Sequence, residues 1–322
     1  MGAEARDYSG LVAIWEATEG ASADPVGGPS VVTIGVFDGV HRGHQQVIAA
    51  VRERAAAAGA TPVAITFDPH PVAVLAPDKA PVRLTTLDRR VELLHQHGAE
   101  EVRVLAFSAE MSAWSPQEFI DRVIVEQTHC RELIVGENFR FGQRAAGTVE
   151  TLRLAGQAAG FSVDGWSLAG DGEAFSSTRV RAAVADGDLA TAAAILGRPH
   201  EISGAVVRGD RRGRELGYPT ANVPVDEAYA VPPDGVYAGR LVRAGGERLP
   251  AAISIGTNPT FDGVAGRRVE SYVLDREDLD LYDEQVRVEL VERLRPMVAF
   301  DSVDELVLQM EADVTATRRI LD

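Results

Sequence analysis

The sequence predicts an α/β domain built on a doubly wound parallel sheet, followed by a small antiparallel β-barrel domain with a C-terminal helix. Three observations carry that expectation. The chain has 322 residues, beyond the ~250–300 at which single cores stop growing, so two domains are expected. Up to about Gly197 apolar runs alternate with amphipathic stretches of helical period, the pattern of βα units. After Gly197-Arg198-Pro199 short strand-like runs follow one another with turn residues between them and almost no helix, the pattern of a small barrel. The division therefore falls at 198/199, giving domains 1–198 and 199–322.

In order, residues 31–36 read as a buried strand, and Val47, Ile48, Val51, Ala55 and Ala58 then recur at helical spacing. Residues 63–67 read as a second strand, 87–97 as a helix and 102–107 as a third strand. Ser115-Pro116-Gln117-Glu118 opens the next helix as a capping box, with serine at the N-cap, proline at the first helical position and glutamate at the third. Residues 133–135 and 161–166 supply two more strands, with a helix over 148–159 between them. In the second half strands are expected at 202–208, 236–243, 251–255, 269–274 and 286–294. In the last of these Val286, Val288 and Leu290 alternate with Arg287 and Glu289, which buries one face. Ser302 and Glu305 form another capping box, and Val303, Leu306, Val307, Met310, Val314 and Leu321 line one face of the closing helix.

Composition narrows the function classes. With 45% hydrophobic and 25% charged residues the chain is of soluble globular type. No run of 18 apolar residues occurs, so no membrane partner is expected and a cytoplasmic location is the simplest reading. Lys+Arg number 32 against Asp+Glu 48, a net charge of -16, so a cationic track for nucleic acid is not expected. Lys79 is the only lysine and lies between Asp78 and Ala80. A Walker A loop is thereby excluded and lysine Schiff-base chemistry disfavoured. Any phosphate chemistry falls to arginine, histidine, backbone amides and metal. Cys130 is the only cysteine, so neither a disulfide framework nor a cysteine zinc cluster can form within the chain, and it reads as a small buried apolar side chain. His95 and His97 read as surface residues, and Trp15, Trp114 and Trp166 carry no motif.

Gly35-Val36-Phe37-Asp38-Gly39-Val40-His41-Arg42-Gly43-His44 joins the first strand to the first helix. That is where a parallel sheet places its ligands and where free amides favour anions. His41 and His44 lie on the opening turn, and Gly43 between them leaves the backbone approachable by phosphate. Imidazoles so placed can donate to charge developing on a phosphoryl group; the bland alternative is a helix cap or an isolated metal pair. Ser177, Thr178 and Arg181, at the start of a later helix, offer a second anion site, or an ordinary N-cap with solvated arginines. Asn138 and Arg140 follow the fourth strand on the same rim. Asp68 and His70, flanking Pro69, lie on a further rim loop.

The second half opens with a glycine- and arginine-rich stretch containing Gly209 and Arg214, suited to a loop over polyphosphate or to a hairpin whose arginines pair with surplus acids. Thr220 and Asn222 are two apart, so in extended chain both face the same way and could offer oxygen ligands to Mg²⁺. Glu270 lies in a strand with mostly apolar neighbours, where it could act as general base for a hydroxyl or simply face water.

Taken together, Val32 to His44, Thr66-Phe67-Asp68-Pro69-His70-Pro71, Asn138-Phe139-Arg140-Phe141-Gly142 and Ser176-Ser177-Thr178-Arg179-Val180-Arg181 resemble the adenylyltransferase half of the bacterial bifunctional riboflavin kinase/FAD synthetase family. Pro219-Thr220-Ala221-Asn222, Gly235-Val236-Tyr237-Ala238, Ser254 to Phe261 and Val269-Glu270-Ser271-Tyr272 resemble its riboflavin kinase module. The resemblance implies a nucleotidyltransferase fold for the first domain. It implies that His41 and His44 stabilise ATP phosphates, with Asn138, Ser177, Thr178 and Arg181 also in the nucleotide site; Gly43 is expected there for its missing side chain, and Asp68 and His70 either shape the flavin site or, with Pro69 and Pro71, form only a rigid turn. In the second domain it implies Thr220 and Asn222 at the Mg-nucleotide and Glu270 as base, while Gly209 and Arg214 are expected at ATP from the glycine- and arginine-rich character of their stretch. The substrates would be riboflavin, FMN and ATP, and the products FMN and FAD. One departure is Leu281-Tyr282-Asp283 where the family usually has Leu-Tyr-Gly; aspartate is accepted in left-handed turns. The rival readings are a nucleotidyltransferase for another phosphorylated metabolite with an inactive barrel, and a flavin-binding regulator.

Overall fold

A computed structural model describes residues 13–15, 26–167, 170, 172–208, 217–257, 267–276 and 278–322. Their contacts form two compact units, residues 1–81 with 86–175, and residues 82–85 with 176–322.

In the first unit β1 (Ala13–Trp15), β2 (Ser30–Ile34), β3 (Thr61–Asp68), β4 (Glu101–Ala106), β5 (Cys130–Gly136) and β6 (Ser162–Trp166) form one parallel sheet in the order β1-β4-β3-β2-β5-β6. The chain winds outward from β2 through β3 to β4, then returns to the other side of β2 for β5. The winding thus reverses between β2 and β5, the switch point at whose carboxyl ends such sheets hold ligands. The three-residue edge strand β1 is too short to have shown a period in the sequence.

The connecting helices are α1 (Arg42–Ala58), α2 (Leu87–Gln96), α3 (116–128) and α4 (Val149–Ala159). Each start has a side-chain cap: His41, Thr86, Ser115 and Thr148 accept from the backbone N–H three residues on. The Ser115–Glu118 box has both of its reciprocal bonds. Within α3 residues Ile120–Val125 take a π-turn. Ile34, Ile65, Leu105, Ile124, Leu133 and Leu152 pack together as the core of one sheet face. On the other lie Val31, Val47, Val51 and Ile134 and a cluster with Ile48, Val91, Leu94 and Val104. Each fully buried aliphatic side chain stabilises the unit by about 1.5–3 kcal/mol.

In the second unit α5 (Ser177–Asp186) and α6 (Leu189–Leu196) precede β7 (His200–Ala205), β8 (Thr220–Pro224), β9 (Gly235–Val242), β10 (Arg248–Thr257), β11 (Arg267–Val273) and β12 (Gln285–Pro296). The sheet is antiparallel in the order β7-β12-β9-β10-β11-β8. It curls into a half-barrel whose end strands meet through one bridge, where Val207 N–H donates to Asn222 O at 2.8 Å. Register shifts in β12, between Leu290 and Glu292 and between Arg293 and Arg295, bend it. Tyr237, Val223, Ile253, Val269, Val288 and Leu290 fill the core. Asp283 has φ 63, so the left-handed backbone is kept with aspartate where the family usually has glycine.

The closing helix α7 (Val303–Leu321) departs from expectation in two ways. Ser302 Oγ accepts from Glu305 N–H at 3.2 Å, but the Glu305 carboxylate accepts from Asp301 N–H at 3.3 Å, so the reciprocal bond of the box is displaced by one residue. Val303 is 59% exposed, while the residues of α7 that are buried are polar, Asp313 and Thr317. A paired aspartate, rather than an apolar stripe alone, fixes the helix.

Candidate active sites

Beyond Ile34 the chain of the first unit turns through 35–41 with Phe37 at φ 53, Gly39 at φ 81 and Val40 at φ 39. Left-handed backbone at a bulky residue costs about 1–2 kcal/mol, so the turn needs anchors. Val36 O accepts from Thr66 Oγ1 at 2.9 Å and from Arg90 Nη1 at 3.0 Å, and Gln45 Nε2 donates to Val40 O at 2.8 Å. A Cβ on Gly35 would stand 3.0 Å from the Phe37 ring, so glycine lets that ring fold back; it meets His44 edge-on at 5.1 Å between centroids.

The two histidines are brought together. His41 caps α1, its Nδ1 accepting from His44 N–H at 3.4 Å, which puts the proton of the neutral ring on Nε2. The rings stack at 3.6 Å between centroids, 20° from parallel. His41 is buried and His44 half-buried. The buried Nδ1 of His44 has no hydrogen-bond partner among the described residues. Burial, reinforced by repulsion between a protonated His44 and its neighbours His41 and Arg90, holds His44 well below the usual imidazole range. The site therefore presents neutral N–H donors at a helix N-terminus, with buried Gly43 between them.

Asp68 ends β3, and its Oδ1 lies 3.4 Å from Arg90 Nη2. The Asp68–Pro69 bond is cis. His70 Nδ1 accepts from Val72 N–H at 3.1 Å, capping the single turn Pro71–Leu75. Asn138 lies on an exposed turn after β5, the neighbour of β2, so it leaves the sheet at the same end as the histidine loop.

In the half-barrel, strand register does the assembling. Thr220 stands opposite Tyr272, Asn222 opposite Glu270, and Glu270 opposite Ser254. Ala221, Val223, Val269 and Ser271 are buried; Ala221, Val223 and Val269 belong to the core, which turns Thr220, Asn222, Glu270 and Ser254 to the other face. Asn222 Nδ2 donates to Thr220 O at 3.2 Å and to its Oγ1 at 3.3 Å. Thr220, Ser254, Glu270 and Tyr272 line a cavity of about 480 Å³ whose opposite wall includes Met297, Phe300, Leu306 and Met310. Tyr218 meets Tyr272 edge-on at 4.9 Å, and burial, with the charges of Glu311 and Tyr272, pushes its phenol up. Arg295 fixes the far wall by gripping Asp313 at 2.7 Å (Nη2) and 3.0 Å (Nε), and Gln309 adds a bond to Asp313 Oδ1 at 3.0 Å. The cavity joins an apolar, aromatic wall to a carboxylate and a hydroxyl, which suits a flat ring system bearing a hydroxylated tail.

Other expectations fare differently. Gly209, Arg214 and residues 258–261 lie outside the described residues. Ser177, Thr178 and Arg181 belong to the second unit. The N-cap of α5 is Ser176, which accepts from Arg179 N–H at 3.2 Å, rather than Ser177 or Thr178. Arg181 Nε donates to Val82 O at 2.6 Å. His95 is half-buried instead of a surface residue, its Nδ1 2.9 Å from Ala99 O. Cys130 is half-buried, and burial pushes its thiol up to about 12. The sequence reading did not single out Arg90, Ser254 or the Arg295–Asp313 pair. For Arg90 a signal existed: it shares the helical face of Leu87, Val91 and Leu94.

Among family models, FAD synthetase matches residues 25–179 and riboflavin kinase residues 196–321. The bifunctional riboflavin kinase/FMN adenylyltransferase of Escherichia coli strain K12 is 38% identical over 89% of this chain and 91% of its own length. That of Bacillus subtilis is 35% identical over 88% and 90%. A crystal structure described as a macrolide-efflux protein from Streptococcus pneumoniae matches with TM-score 0.83 and 32% identity, covering 96% of this chain and 99% of that one. With both family models matched in order and relatives aligned along nearly their whole length, the chain belongs to the bifunctional riboflavin kinase/FMN adenylyltransferase family.

Proposed function

We propose that the half-barrel phosphorylates riboflavin to FMN and that the α/β domain adenylylates FMN to FAD, with the functional division at 198/199. The observation that carries this reading is the placement of Glu270 directly across from Asn222 and beside a cavity-lining Thr220, while the phosphate-type donors His41 and His44 stack at the switch point of a different sheet. Two chemistries thus have two separate sets of groups.

In the kinase step the Glu270 carboxylate takes the proton of the ribityl 5′-hydroxyl as that oxygen bonds to the γ-phosphorus of ATP and ADP leaves. The apolar wall with Met297 and Phe300 takes the ring system, and Gly209 and Arg214 serve ATP. Thr220 and Asn222 would hold Mg²⁺. The Asn222 amide turns its Nδ2 to Thr220, which leaves Asn222 Oδ1 as the amide's acceptor, and hard neutral oxygens suit an ion that keeps waters and phosphates as its other ligands. No group of three His, Cys, Asp or Glu side chains among the described residues could hold a metal by itself, in keeping with such an open site. When bound, the ion offsets polyphosphate charge.

In the adenylyl step a phosphate oxygen of FMN bonds to the α-phosphorus of ATP and pyrophosphate leaves, without a covalent enzyme intermediate. His41 and His44 donate to the phosphate oxygens, Gly43 admits them to the helix terminus, and Asn138, Ser177, Thr178 and Arg181 hold the nucleotide. Asp68 and His70 shape the flavin side. ATP is co-substrate in both steps, nucleic acid in neither, and the location is cytoplasmic; the acidic charge of -16 supports the second point, and the absence among the described residues of a helix long and apolar enough to cross a membrane is compatible with the third. Incubation with riboflavin, ATP and Mg²⁺, resolved by chromatography, tests the reading: FMN and FAD should both form, and formation of neither would refute it.

A further inference from the structure

Arg90 has no task in either proposed step, yet its setting is unusual. It lies on α2 among Leu87, Val91 and Leu94, and it is 6% exposed. A solvated arginine has no reason to sit there, and a buried guanidinium is tolerated only where its N–H groups find acceptors. Two acceptors come from different loops of the same rim: Val36 O at 3.0 Å, in the turn that ends in His41, and Asp68 Oδ1 at 3.4 Å, at the end of β3. Val36 immediately precedes Phe37, the first left-handed residue of that turn. A strained turn persists only when its surroundings over-determine it, and the planar fork of arginine is the side chain suited to joining a carbonyl and a carboxylate at once.

We propose that Arg90 is a positioning residue for adenylyl transfer, tying the histidine loop to the Asp68 loop so that His41 and His44 face the nucleotide at a fixed distance from the flavin side. It touches neither substrate. The proposal rests on the α/β domain being the adenylyltransferase. A second consequence concerns His44, whose proton affinity burial, His41 and Arg90 all lower: removing the Arg90 charge lets His44 take up a proton at higher pH.

The test uses the full chain and its two activities. Arg90→Met should lower kcat for FAD formation from supplied FMN by about 10²-fold, the cost of misplacing catalytic groups by about 1 Å, and move the acid limb of its pH profile to higher pH. Riboflavin phosphorylation by the same preparation should stay within about twofold of wild type. Arg90→Lys keeps the charge but is a single point donor that cannot span both loops, so kcat should fall while the acid limb stays at its wild-type pH. Should Arg90→Met lose both activities by misfolding, the lysine variant decides: wild-type kcat with lysine overturns the proposal, as does an unchanged kcat and acid limb with methionine. A wild-type chain that phosphorylates riboflavin but makes no FAD would instead remove the reading on which the proposal rests.

Discussion

On the proposed function, the rim of the α/β unit and the cavity of the half-barrel solve the same problem, presenting groups to a phosphate, by opposite routes. At the rim the two principal groups are three residues apart in sequence, and the difficulty lies in the backbone: a turn with two bulky left-handed residues must be held down by Thr66, Gln45 and Arg90. In the cavity the backbone is regular strand, and the groups come from positions as far apart as Thr220, Ser254 and Glu270, aligned by hydrogen-bond register. A local site fails when its anchors fail; a register site fails when one partner strand loses its group or its opposite wall.

That contrast can be broken or sharpened experimentally. The largest effect is expected from Glu270→Gln, which keeps shape and removes the base: FMN formation should fall by about 10²–10⁴-fold, with FAD formation from supplied FMN preserved. Loss of both activities would contradict the separation of the sites. Next, His44→Ala should lower the adenylyl step by about 10²-fold or more, as loss of a preorganised donor does, with riboflavin phosphorylation intact in the same sample.

A smaller effect tests the cavity wall. Asp313 and Arg295 are 8% and 18% exposed at their side chains, so Asp313→Ala leaves a half-buried cation without its carboxylate and should cost about 2 kcal/mol in urea unfolding of the second unit. It should also raise the KM for riboflavin without touching the KM for FMN in the adenylyl step. A surface-like change below about 0.5 kcal/mol would show that α7 is held by its other contacts. The smallest effect concerns Cys130. Its native thiol is pushed up to about 12 from an ordinary 9.0, so it stays protonated at neutral pH and iodoacetamide should label it only in denaturant. Because the unfolded thiol ionises first, the stability gained from burying the neutral form is complete below about pH 9 and declines as pH rises from there toward 12.

The same contrast explains what the sequence could disclose. The histidine loop was legible because strand, turn, His-x-Gly-His and helix lie in one short stretch, as the helix start at Ser115 was legible from the capping box that follows it. The half-barrel groups were legible only as types at a spacing: Thr220 and Asn222 share a face by period, but nothing local says that Asn222 lies opposite Glu270 rather than opposite a neighbour, since register is a long-range property. Arg90 and Asp313 were missed for a related reason. Each is a charge on a helix whose partner, Val36 or Arg295, is set by tertiary packing; helical period placed Arg90 on the apolar face of Leu87, Val91 and Leu94 but could not name the acceptors it meets there. The three residues of β1 carry too little pattern to be read as a strand at all.

The separation of the two chemistries is tested most directly by mixing the Glu270→Gln and His44→Ala chains with riboflavin, ATP and Mg²⁺ and following FAD. Each variant alone should make almost none: the first for want of FMN, the second for want of adenylyl transfer. Together they should convert riboflavin to FAD, because the FMN released by one is taken up by the other. A mixture that makes no more FAD than its components, while both chains remain folded, would contradict two self-sufficient sites in one chain.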